Sequence, residues 1–304
     1  MKQLVYKGAG DVGLEDAPTP KPDPGQVLVK VLGVTTCPHW DLHLMDGIPM
    51  FPGRPLSYPF AAGKPGHEGM GEVVAVGSGV ASLRVGTRAV AWRDTGRTEE
   101  PGWYAEYVAF DEADLLPVPD SYEPEKIASL ELAMCVQVSF DMLLQQGLVE
   151  GKRFAVGGLG PAGLVAVQMA KAYGATKVIG IDPLEQRRAM GGELGVDQTV
   201  DPGVSGALAS GRSGGDAIDT ALDCTGLKVS IEYLMDRTRD AVSIFGVLRE
   251  DIVFGPAHWA GLSLMGYGSH NLGAAKRALE LIASGKLDLA PLATHTLPLS
   301  KYKE

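Results

Sequence analysis

The sequence feature that most constrains this chain is a predicted buried strand that runs into a glycine-rich turn and then into a helix. Residues 154–163 read Phe-Ala-Val-Gly-Gly-Leu-Gly-Pro-Ala-Gly, and the apolar segment 164–173 follows them. Gly158 permits the tight turn, Gly160 lets the backbone approach a pyrophosphate, and Gly163 lets the helix pack closely on the strand. The free N–H groups of the helix N-terminus then face the phosphates. The turn is therefore predicted to bind a dinucleotide through Gly158, Gly160, Pro161, Ala162 and Gly163.

An acidic residue after the next predicted strand indicates which dinucleotide is bound. The strand 178–181 ends at Asp182, about 20 residues after the last glycine, a spacing that suits a carboxylate on the adenosine ribose hydroxyls. This carboxylate would repel a 2′-phosphate, so NAD is favoured. Arg187 and Arg188 lie close by in the sequence and keep NADP open as the alternative.

Apolar strand-like runs alternate with helical segments over the second half of the chain. This alternation predicts an α/β fold with a doubly wound parallel sheet of the Rossmann type. The expected strands are 154–156, 177–181, 218–222, 241–245 and 262–265. Two loops that follow predicted strands, at the sheet edge where ligands bind, add Thr225 and Val247 to the predicted cofactor site.

The first half of the chain is rich in glycine and proline and has short β-branched runs, which predicts a compact, mostly β domain. The stretch 122–146 contains no glycine and is long enough for a helix that connects the two halves. The expected division is 1–121 for the N-terminal domain, 122–150 for the connecting helix, 151–270 for the dinucleotide-binding domain and 271–304 for a C-terminal helix that returns towards the first domain.

The overall composition limits the partners of this chain. A formal charge of -10 disfavours nucleic acid and anionic membranes, because both need clustered Lys and Arg. No run reaches the roughly 18 apolar residues of a membrane-spanning helix and no export signal is present, so we expect a cytoplasmic protein. Cys37, Cys135 and Cys224 are too few for a disulfide framework and fit reduced thiols.

A histidine motif in the first half connects these features to a known family. The motif is Gly66-His-Glu-Gly-Met-Gly71, with Gly77 after it, and a strand-like run at 26–31 leads to Cys37 upstream. Together with the glycine-rich turn, this pattern resembles the zinc-dependent medium-chain dehydrogenase family over nearly the whole chain. The resemblance implies a GroES-like, mostly β catalytic domain ahead of the Rossmann domain.

The resemblance also implies one catalytic zinc ion. By carry-over from the family motif, Cys37 and His67 are zinc ligands, and Glu68 is an alternating ligand or a supporting carboxylate. Many relatives hold a second, structural zinc with four closely spaced cysteines after this motif. The corresponding stretch 91–107 contains no cysteine, so we expect no structural zinc.

The third ligand of the catalytic zinc stays open: it is Cys135, Glu131 or absent. Relatives carry the third ligand at a set distance before the first glycine of the glycine-rich turn. Counting back by that distance without gaps reaches Met134, and methionine is a poor zinc ligand. Cys135 and Glu131 are four residues apart and would share one helix face, so either could reach the metal after a small shift. Cys135 is placed slightly ahead of Glu131.

The segment after the first ligand departs from the family pattern. It reads Cys37-Pro-His-Trp-Asp-Leu-His43, with one residue inserted and His39 near the usual proton-relay hydroxyl. His39 is expected to transfer the proton itself or to enter the zinc shell. His43 resembles the downstream relay histidine of the family, and Asp41 is expected to orient a ligand imidazole.

These features predict a zinc-dependent alcohol or polyol dehydrogenase that transfers a hydride between an alcohol and NAD, with zinc as a Lewis acid. Two alternatives stay open. One is a zinc-independent NAD(P)H quinone or enoyl reductase of the same superfamily, which Met134 favours. The other is a non-catalytic nucleotide-binding relative, which the altered relay and an early end at Glu304 allow, because relatives continue beyond that point.

The expected partners are a small-molecule alcohol or carbonyl substrate and further copies of the chain, in a homo-oligomeric dimer or tetramer. The substrate itself is not legible. An apolar cluster near the zinc motif forms either part of a substrate pocket or plain core. Its members are Trp40, Met45, Ile48, Met50, Phe51 and Trp103.

Overall fold

The computed structural model describes residues 1–51, 53–94 and 100–303 and divides the chain into two compact units. The first unit comprises Met1–Leu132 and Leu289–Glu304, and the second comprises Ala133–Asp288. The last residues of the chain therefore belong with the N-terminal part. The domain limits that we expected from the sequence remain a prediction, separate from this division into units.

The first unit is built mostly from antiparallel strands, as predicted. Its strands are β1 (Lys2–Gly8), β2 (Asp11–Asp16), β3 (Gln26–Thr35), β4 (Glu68–Val76), β5 (Arg88–Ala91), β6 (Tyr107–Asp111) and β7 (Leu115–Pro117). β1 and β2 form a hairpin, and the other five form a sheet in the order β6-β3-β4-β5-β7. Val27, Val29 and Val73 are fully buried in the core of this sheet.

Three helices begin in the first unit: α1 (Pro38–Met45), α2 (Pro124–Ile127) and α3 (Leu130–Gln145). Proline opens both α1 and α2, where its missing N–H leaves no intrahelical bond unmade. The predicted connecting helix is interrupted between α2 and α3. At this turn the Ser129 hydroxyl donates a hydrogen bond to Thr35 Oγ1 at 3.0 Å, which ties the turn to the end of β3.

The segment Pro124–Gln145 is long and apolar enough, by length and composition, to cross a membrane. Of its apolar window, 78% is buried inside the protein. A helix of a protein core passes the same test, because it too is apolar on nearly all sides. This segment therefore carries no argument for a membrane location.

The second unit contains a six-stranded sheet in which all neighbours are parallel, and this confirms the predicted fold class. Its strands are β8 (Arg153–Gly157), β9 (Lys177–Ile181), β10 (Gln198–Val200), β11 (Ile218–Asp223), β12 (Thr238–Ile244) and β13 (Ser263–Met265). The sheet order β10-β9-β8-β11-β12-β13 is the order 3-2-1-4-5-6 of a doubly wound Rossmann sheet. Sequence reasoning missed β10, which is only three residues long.

The helices of the second unit connect these strands. They are α4 (Pro161–Ala172), α5 (Glu185–Glu193), α6 (Lys228–Met235), α7 (Pro256–Trp259) and α8 (Leu272–Ala283). Four of the five residues in each of β8 and β9 are buried, as expected for central strands of a parallel sheet that is covered on both faces. The crossover from β8 through α4 to β9 places the glycine-rich turn at the carboxyl end of β8.

One carboxylate organises the loop between β4 and β5 in the first unit. Glu112 accepts hydrogen bonds from the backbone N–H groups of Ala81, Ser82 and Leu83, at 3.0, 2.5 and 2.8 Å. The Ser82 hydroxyl also donates to Glu112, at 2.6 Å. These bonds, with the Ser82 hydroxyl first, lower the pKa of Glu112 from 4.5 to about 2. The ionised carboxylate therefore fixes this loop.

Replacing Glu112 by alanine is expected to lower the free energy of unfolding by about 1–2 kcal/mol at pH 7, because three N–H groups lose a charged acceptor that water partly screens. The folded pKa of about 2 lies below the ordinary 4.5, so this contribution is present above pH 4.5 and is lost as the pH falls towards 2. The denaturant midpoints of wild type and of Glu112→Ala should differ at pH 7 and converge in acid. The exposed Asp120→Ala variant is the control, and equal loss in both variants would contradict the assignment.

Candidate functional site

Three of the predicted metal ligands lie together in the first unit. The Sγ of Cys37, an imidazole nitrogen of His67 and a carboxylate oxygen of Glu68 all lie within 4.8 Å of one another. The sheet register explains this proximity, because Thr35 at the end of β3 pairs with Glu68 at the start of β4. Cys37 follows Thr35 by two residues and caps α1, so the thiol is delivered beside the histidine motif.

The orientation of the His67 ring suits a metal ligand. Its Nδ1 lies 2.9 Å from the Pro65 carbonyl oxygen, which only accepts, so Nδ1 carries the proton. The other ring nitrogen, Nε2, then faces two acids, at 3.8 Å from Glu68 Oε1 and 3.9 Å from Glu131 Oε2. These separations are too long for hydrogen bonds, and they are close to the spacing of donor atoms around an ion with bonds of roughly 2.0–2.3 Å.

The two candidates for the third ligand both lie on α3. Glu131 is 5% exposed and reaches His67 within the first unit. Cys135 lies in the second unit, where its Sγ is 3.3 Å from His270 Nε2. Met134, which the gapless count reached, is fully buried. Among the described residues of the first unit, the side chains grouped around His67 are thus one thiol and two carboxylates.

Burial dominates the electrostatics of this group. It raises the pKa of the Cys37 thiol, and it raises the pKa of Glu68 to about 8. Burial lowers the pKa of His67, but the hydrogen bond with Cys37 and the charge of Glu131 outweigh it and leave that pKa well above 6.5. Several ionisable groups in one dry volume are costly unless a cation compensates them. Sulfur, imidazole and carboxylate donors together fit a zinc ion.

Asp41 lies beside the thiol ligand. The sequence suggested that it orients a ligand imidazole, but the carbonyl of Pro65 occupies that place at His67. Asp41 Oδ2 instead accepts the backbone N–H of Cys37 at 3.2 Å and the Tyr104 hydroxyl at 2.5 Å. The side chain is buried, which raises the pKa of Asp41, and its Oδ1 has no hydrogen-bond partner in the described part of the chain.

The two relay candidates follow on the same helix. His39 is exposed and His43 is half-buried, and their ring centroids are 4.5 Å apart. The Nδ1 of His43 lies 2.5 Å from the backbone carbonyl of His39. The structure therefore brings the two imidazoles together one turn apart on α1, and their predicted role in proton transfer stays a prediction.

The sequence left open whether the apolar cluster near the zinc motif lines a pocket or belongs to the core. In the structure its members do not all lie in the core. Trp103 and Met50 are 2% and 4% exposed, and Trp103 belongs to the core of the five-stranded sheet. Trp40 instead meets the His67 ring edge-on, with centroids 5.8 Å apart, and it contacts Phe51 in the same way. Trp40 is therefore the member of the cluster that lies directly against His67.

The glycine-rich turn of the second unit is built as its sequence requires. Gly158 has φ of 85°, a conformation that residues with a side chain rarely adopt. A Cβ on Gly163 would lie 1.8 Å from the Gly158 carbonyl oxygen, so the helix packs on the strand too closely for any other residue. A Cβ on Gly160 would meet nothing within 4 Å, which leaves an open space at the N-terminus of α4. Pro161 and Ala162 form the first turn of that helix.

Asp182 is buried where β9 ends. Its Oδ2 accepts the N–H of Leu159, in the glycine-rich turn, at 2.9 Å, and its Oδ1 accepts the N–H of Leu184 at 2.8 Å. Arg187 Nη1 lies 3.6 Å from Asp182 Oδ2, whereas Arg188 donates to the main-chain oxygen of Asp182 at 2.7 Å. The carboxylate is thus fixed next to the turn, with one guanidinium beside it.

Two further loops border the glycine-rich turn. The methyl carbon of Thr225 lies 2.5 Å from the position that a Cβ on Gly158 would take. A Cβ on Gly226 would lie 2.3 Å from the carbonyl oxygen of Val247, so the loops after β11 and β12 also pack against each other. The predicted residues Thr225 and Val247 therefore stand at the same sheet edge as the turn.

Sequence reasoning missed Asp223, which shapes the first of these loops. Its carboxylate accepts the hydroxyls of Thr225 and Ser230, at 2.7 and 2.8 Å, and the N–H of Gly226 at 2.7 Å. Burial raises the pKa of Asp223, and these bonds oppose that shift. The pattern Asp-Cys-Thr-Gly at a strand end is typical of an Asx turn and could have revealed it.

Sequence reasoning also missed a buried ion pair in the loop before the histidine motif. The ammonium of Lys64 contacts the carboxylate of Asp94, and the two side chains are 7% and 9% exposed. Lys64 directly precedes Pro65, whose carbonyl orients His67. The pair joins the ligand loop to the end of β5, and no local signal connects two residues so far apart in sequence.

Comparison with protein families assigns both units. Residues 23–120 match the family model described as "Alcohol dehydrogenase GroES-like domain", and residues 161–284 match the one described as "Zinc-binding dehydrogenase". The first match covers the chain around the Cys37 and His67 cluster. The second begins within the glycine-rich turn.

Named relatives extend the similarity over most of the chain. The chain is 30% identical over 263 residues to (R,R)-butanediol dehydrogenase of Bacillus subtilis, which covers 78% of this chain and 74% of that protein. It is 25% identical, over an alignment of 337 positions, to an L-threonine 3-dehydrogenase of Rhizobium rhizogenes. That alignment covers 100% of this chain and 94% of the relative. Among solved structures, a putative zinc-binding dehydrogenase from Sinorhizobium meliloti bound to NADP superposes with a TM-score of 0.81, at 26% identity and with 94% and 89% covered.

Proposed function

This chain belongs to the zinc-dependent medium-chain dehydrogenase family, and on that premise we propose that it is an alcohol or polyol dehydrogenase that transfers a hydride between its substrate and NAD. The observation that carries the proposal is the convergence of Cys37, His67, Glu68 and Glu131 in one buried group of donor atoms. A zinc-independent reductase has no need of such a set.

We assign the ligands by what each side chain contacts. Cys37 and His67 supply sulfur and nitrogen, and Glu131 supplies the third donor in place of the sequence favourite Cys135, because Glu131 faces the same imidazole nitrogen. Glu68, on the other side of that nitrogen, is the supporting or alternating carboxylate. When bound, zinc would supply a Lewis acid that polarises the oxygen of the substrate.

The residues around the ligands position them and bound the site. Pro65 fixes the protonated nitrogen of His67, so that the other nitrogen faces the donor group. Trp40 packs against the same ring and limits access of water. His39 and His43 stay our candidates for carrying a proton between the site and solvent, since His39 is exposed and the rings adjoin.

NAD is the cofactor that we propose, and it would supply the hydride acceptor. The open space at Gly160 and the helix N-terminus behind it support a bound pyrophosphate. The buried carboxylate of Asp182 supports ribose hydroxyls over a 2′-phosphate. Arg187, half-exposed beside it, is the residue that would serve a 2′-phosphate, so NADP is the alternative that a binding comparison must exclude.

The substrate that we propose is a small molecule with a hydroxyl group. Two relatives are named for butanediol and for position 3 of threonine, and both names describe small hydroxylated compounds. We further propose a cytoplasmic homo-oligomer. β13 closes the sheet order with no strand beyond it in the described chain, and Trp259, just before it, is 80% exposed. An exposed edge and an exposed aromatic residue favour pairing with another copy.

Replacing Cys37 by alanine is expected to abolish both zinc content and alcohol turnover, since the only sulfur donor near His67 in the described part of the first unit is lost. Glu131→Gln should lower zinc affinity by more than the roughly 10–100-fold typical of residues that only support the ligands, because a ligand itself is altered. Elemental analysis after dialysis and a panel of small alcohols and diols with NAD measure these effects.

Cys135→Ser is the matched control, because Cys135 lies one helical turn from Glu131 on α3. It is expected to keep zinc and turnover. Full turnover by metal-free Cys37→Ala would sink the assignment and favour the zinc-independent reductase. NAD binding without turnover in the zinc-loaded wild type would favour the non-catalytic relative.

Two alanine substitutions in the glycine-rich turn should have opposite effects. Gly160→Ala is expected to leave thermal stability nearly unchanged and to weaken NAD binding at least tenfold, because its methyl group fills the space of the pyrophosphate. Gly163→Ala is expected to cost about 3 kcal/mol or more of stability, because its methyl group overlaps the Gly158 carbonyl. Calorimetry and fluorescence titration measure both. Unchanged NAD affinity in Gly160→Ala speaks against this cofactor site.

A further inference from the structure

We infer that Tyr104 is a positioning residue that holds the Cys37 and His67 segments together for zinc. This inference rests on the proposed function, since it concerns the same metal group. Tyr104 lies 37 residues after His67 in sequence and is buried, with 7% of its surface exposed. It is not a ligand, and it acts through the contacts described below.

The ring and backbone of Tyr104 fix the segment that carries His67. A Cβ on Gly66 would lie 2.9 Å from both the ring and the backbone nitrogen of Tyr104, so the aromatic ring lies directly against the backbone before His67. The Tyr104 N–H also donates to the Gly63 carbonyl at 3.0 Å. Tyr104 is therefore packed onto both ends of the short loop that delivers the imidazole.

The hydroxyl of the same residue reaches the segment that carries the thiol. It donates to Asp41 Oδ2 at 2.5 Å, and that oxygen also accepts the backbone N–H of Cys37 at 3.2 Å. Asp41, in the first turn of α1, thus binds the backbone of the residue that begins the helix, and Tyr104 holds Asp41. One side chain therefore connects the Cys37 turn with the His67 loop.

This connection matters because the ligands come from separate elements. Zinc bonds tolerate errors of only about 0.2 Å, so a ligand turn and a ligand loop need a shared reference. Among the described residues of the first unit, the Tyr104 hydroxyl and the Cys37 N–H are the donors to Asp41, and both reach Oδ2. Without the hydroxyl, Oδ2 of Asp41 keeps only the long bond from the Cys37 N–H, and the buried Oδ1 has no donor in the described part of the chain, which favours movement of the carboxylate and of the α1 N-terminus.

The test compares zinc binding by metal-free wild type and by the Tyr104→Phe variant, which keeps the ring on Gly66 and removes only the hydroxyl. Competition with a chelating dye should show zinc affinity about tenfold weaker in Tyr104→Phe, in the range of changes beyond the ligands themselves. Titration with Co²⁺ should show a weaker thiolate-to-metal absorption band, because the Cys37 turn is less well placed.

Tyr58→Phe is the matched control. The Tyr58 hydroxyl also bonds to α1, at the Leu44 carbonyl, but does not touch Asp41. We expect the zinc affinity of Tyr58→Phe to stay within twofold of wild type, even if both variants lower the thermal unfolding temperature of the metal-free protein by the same amount. An equal loss of affinity in both variants, or wild-type affinity in Tyr104→Phe, overturns the inference.

A double-mutant cycle with Asp41→Asn separates this link from general destabilisation. Because both changes break one connection, Tyr104→Phe should weaken zinc binding no further when Asp41→Asn is already present. If the two substitutions weaken zinc affinity independently, so that their effects multiply, the inference is contradicted. If Tyr104→Phe yields no folded protein, the Asp41→Asn variant alone is the test, and wild-type zinc affinity in that variant contradicts the inference. If wild type itself binds no zinc, the proposed function and the inference fall together. If wild type binds zinc and Tyr104→Phe matches it, only the inference falls.

Discussion

The interaction on which the catalytic part of the molecule depends is the bond from His67 Nδ1 to the Pro65 carbonyl. It fixes which ring nitrogen faces the ligand cluster, and so Nε2 lies near Glu68 and Glu131 in a largely buried group. A thiol, an imidazole and two acids in such a group repel or desolvate one another unless a cation joins them. The sheet register, the α1 cap and the Tyr104 packing all serve to keep these groups together.

A second, independent constraint governs the second unit, which contains the glycine-rich turn. The approach of α4 to β8 leaves no room for a side chain at Gly163, while the space at Gly160 stays open. The same backbone therefore explains both the stability of the turn and its capacity to receive a phosphate group. Asp182 and Asp223 accept backbone N–H bonds at the neighbouring strand ends, and these bonds hold the loops at this edge of the sheet.

The sequence was sufficient where the signal is local. The glycine-rich turn, the alternation of strands and helices, and the Gly66 to Gly71 motif each specify a backbone geometry within a few residues, and the fold class follows from them. It was insufficient where contacts join distant segments. The bond from Tyr104 to Asp41 spans 63 residues, and the proximity of Glu131 to His67 depends on where α3 begins after the break at 128–129. The first leaves no periodic or spacing signal, and the spacing left the second open between Glu131 and Cys135.

The most direct test of the account is X-ray absorption at the zinc edge on the purified, zinc-loaded protein. The account predicts one zinc per chain with a single sulfur at about 2.3 Å, from Cys37, and nitrogen and oxygen donors at about 2.0–2.2 Å from His67 and the carboxylates. The Cys135→Ser variant should give the same spectrum. Two sulfur donors, or a spectrum without sulfur, would contradict the ligand assignment on which the proposed function rests.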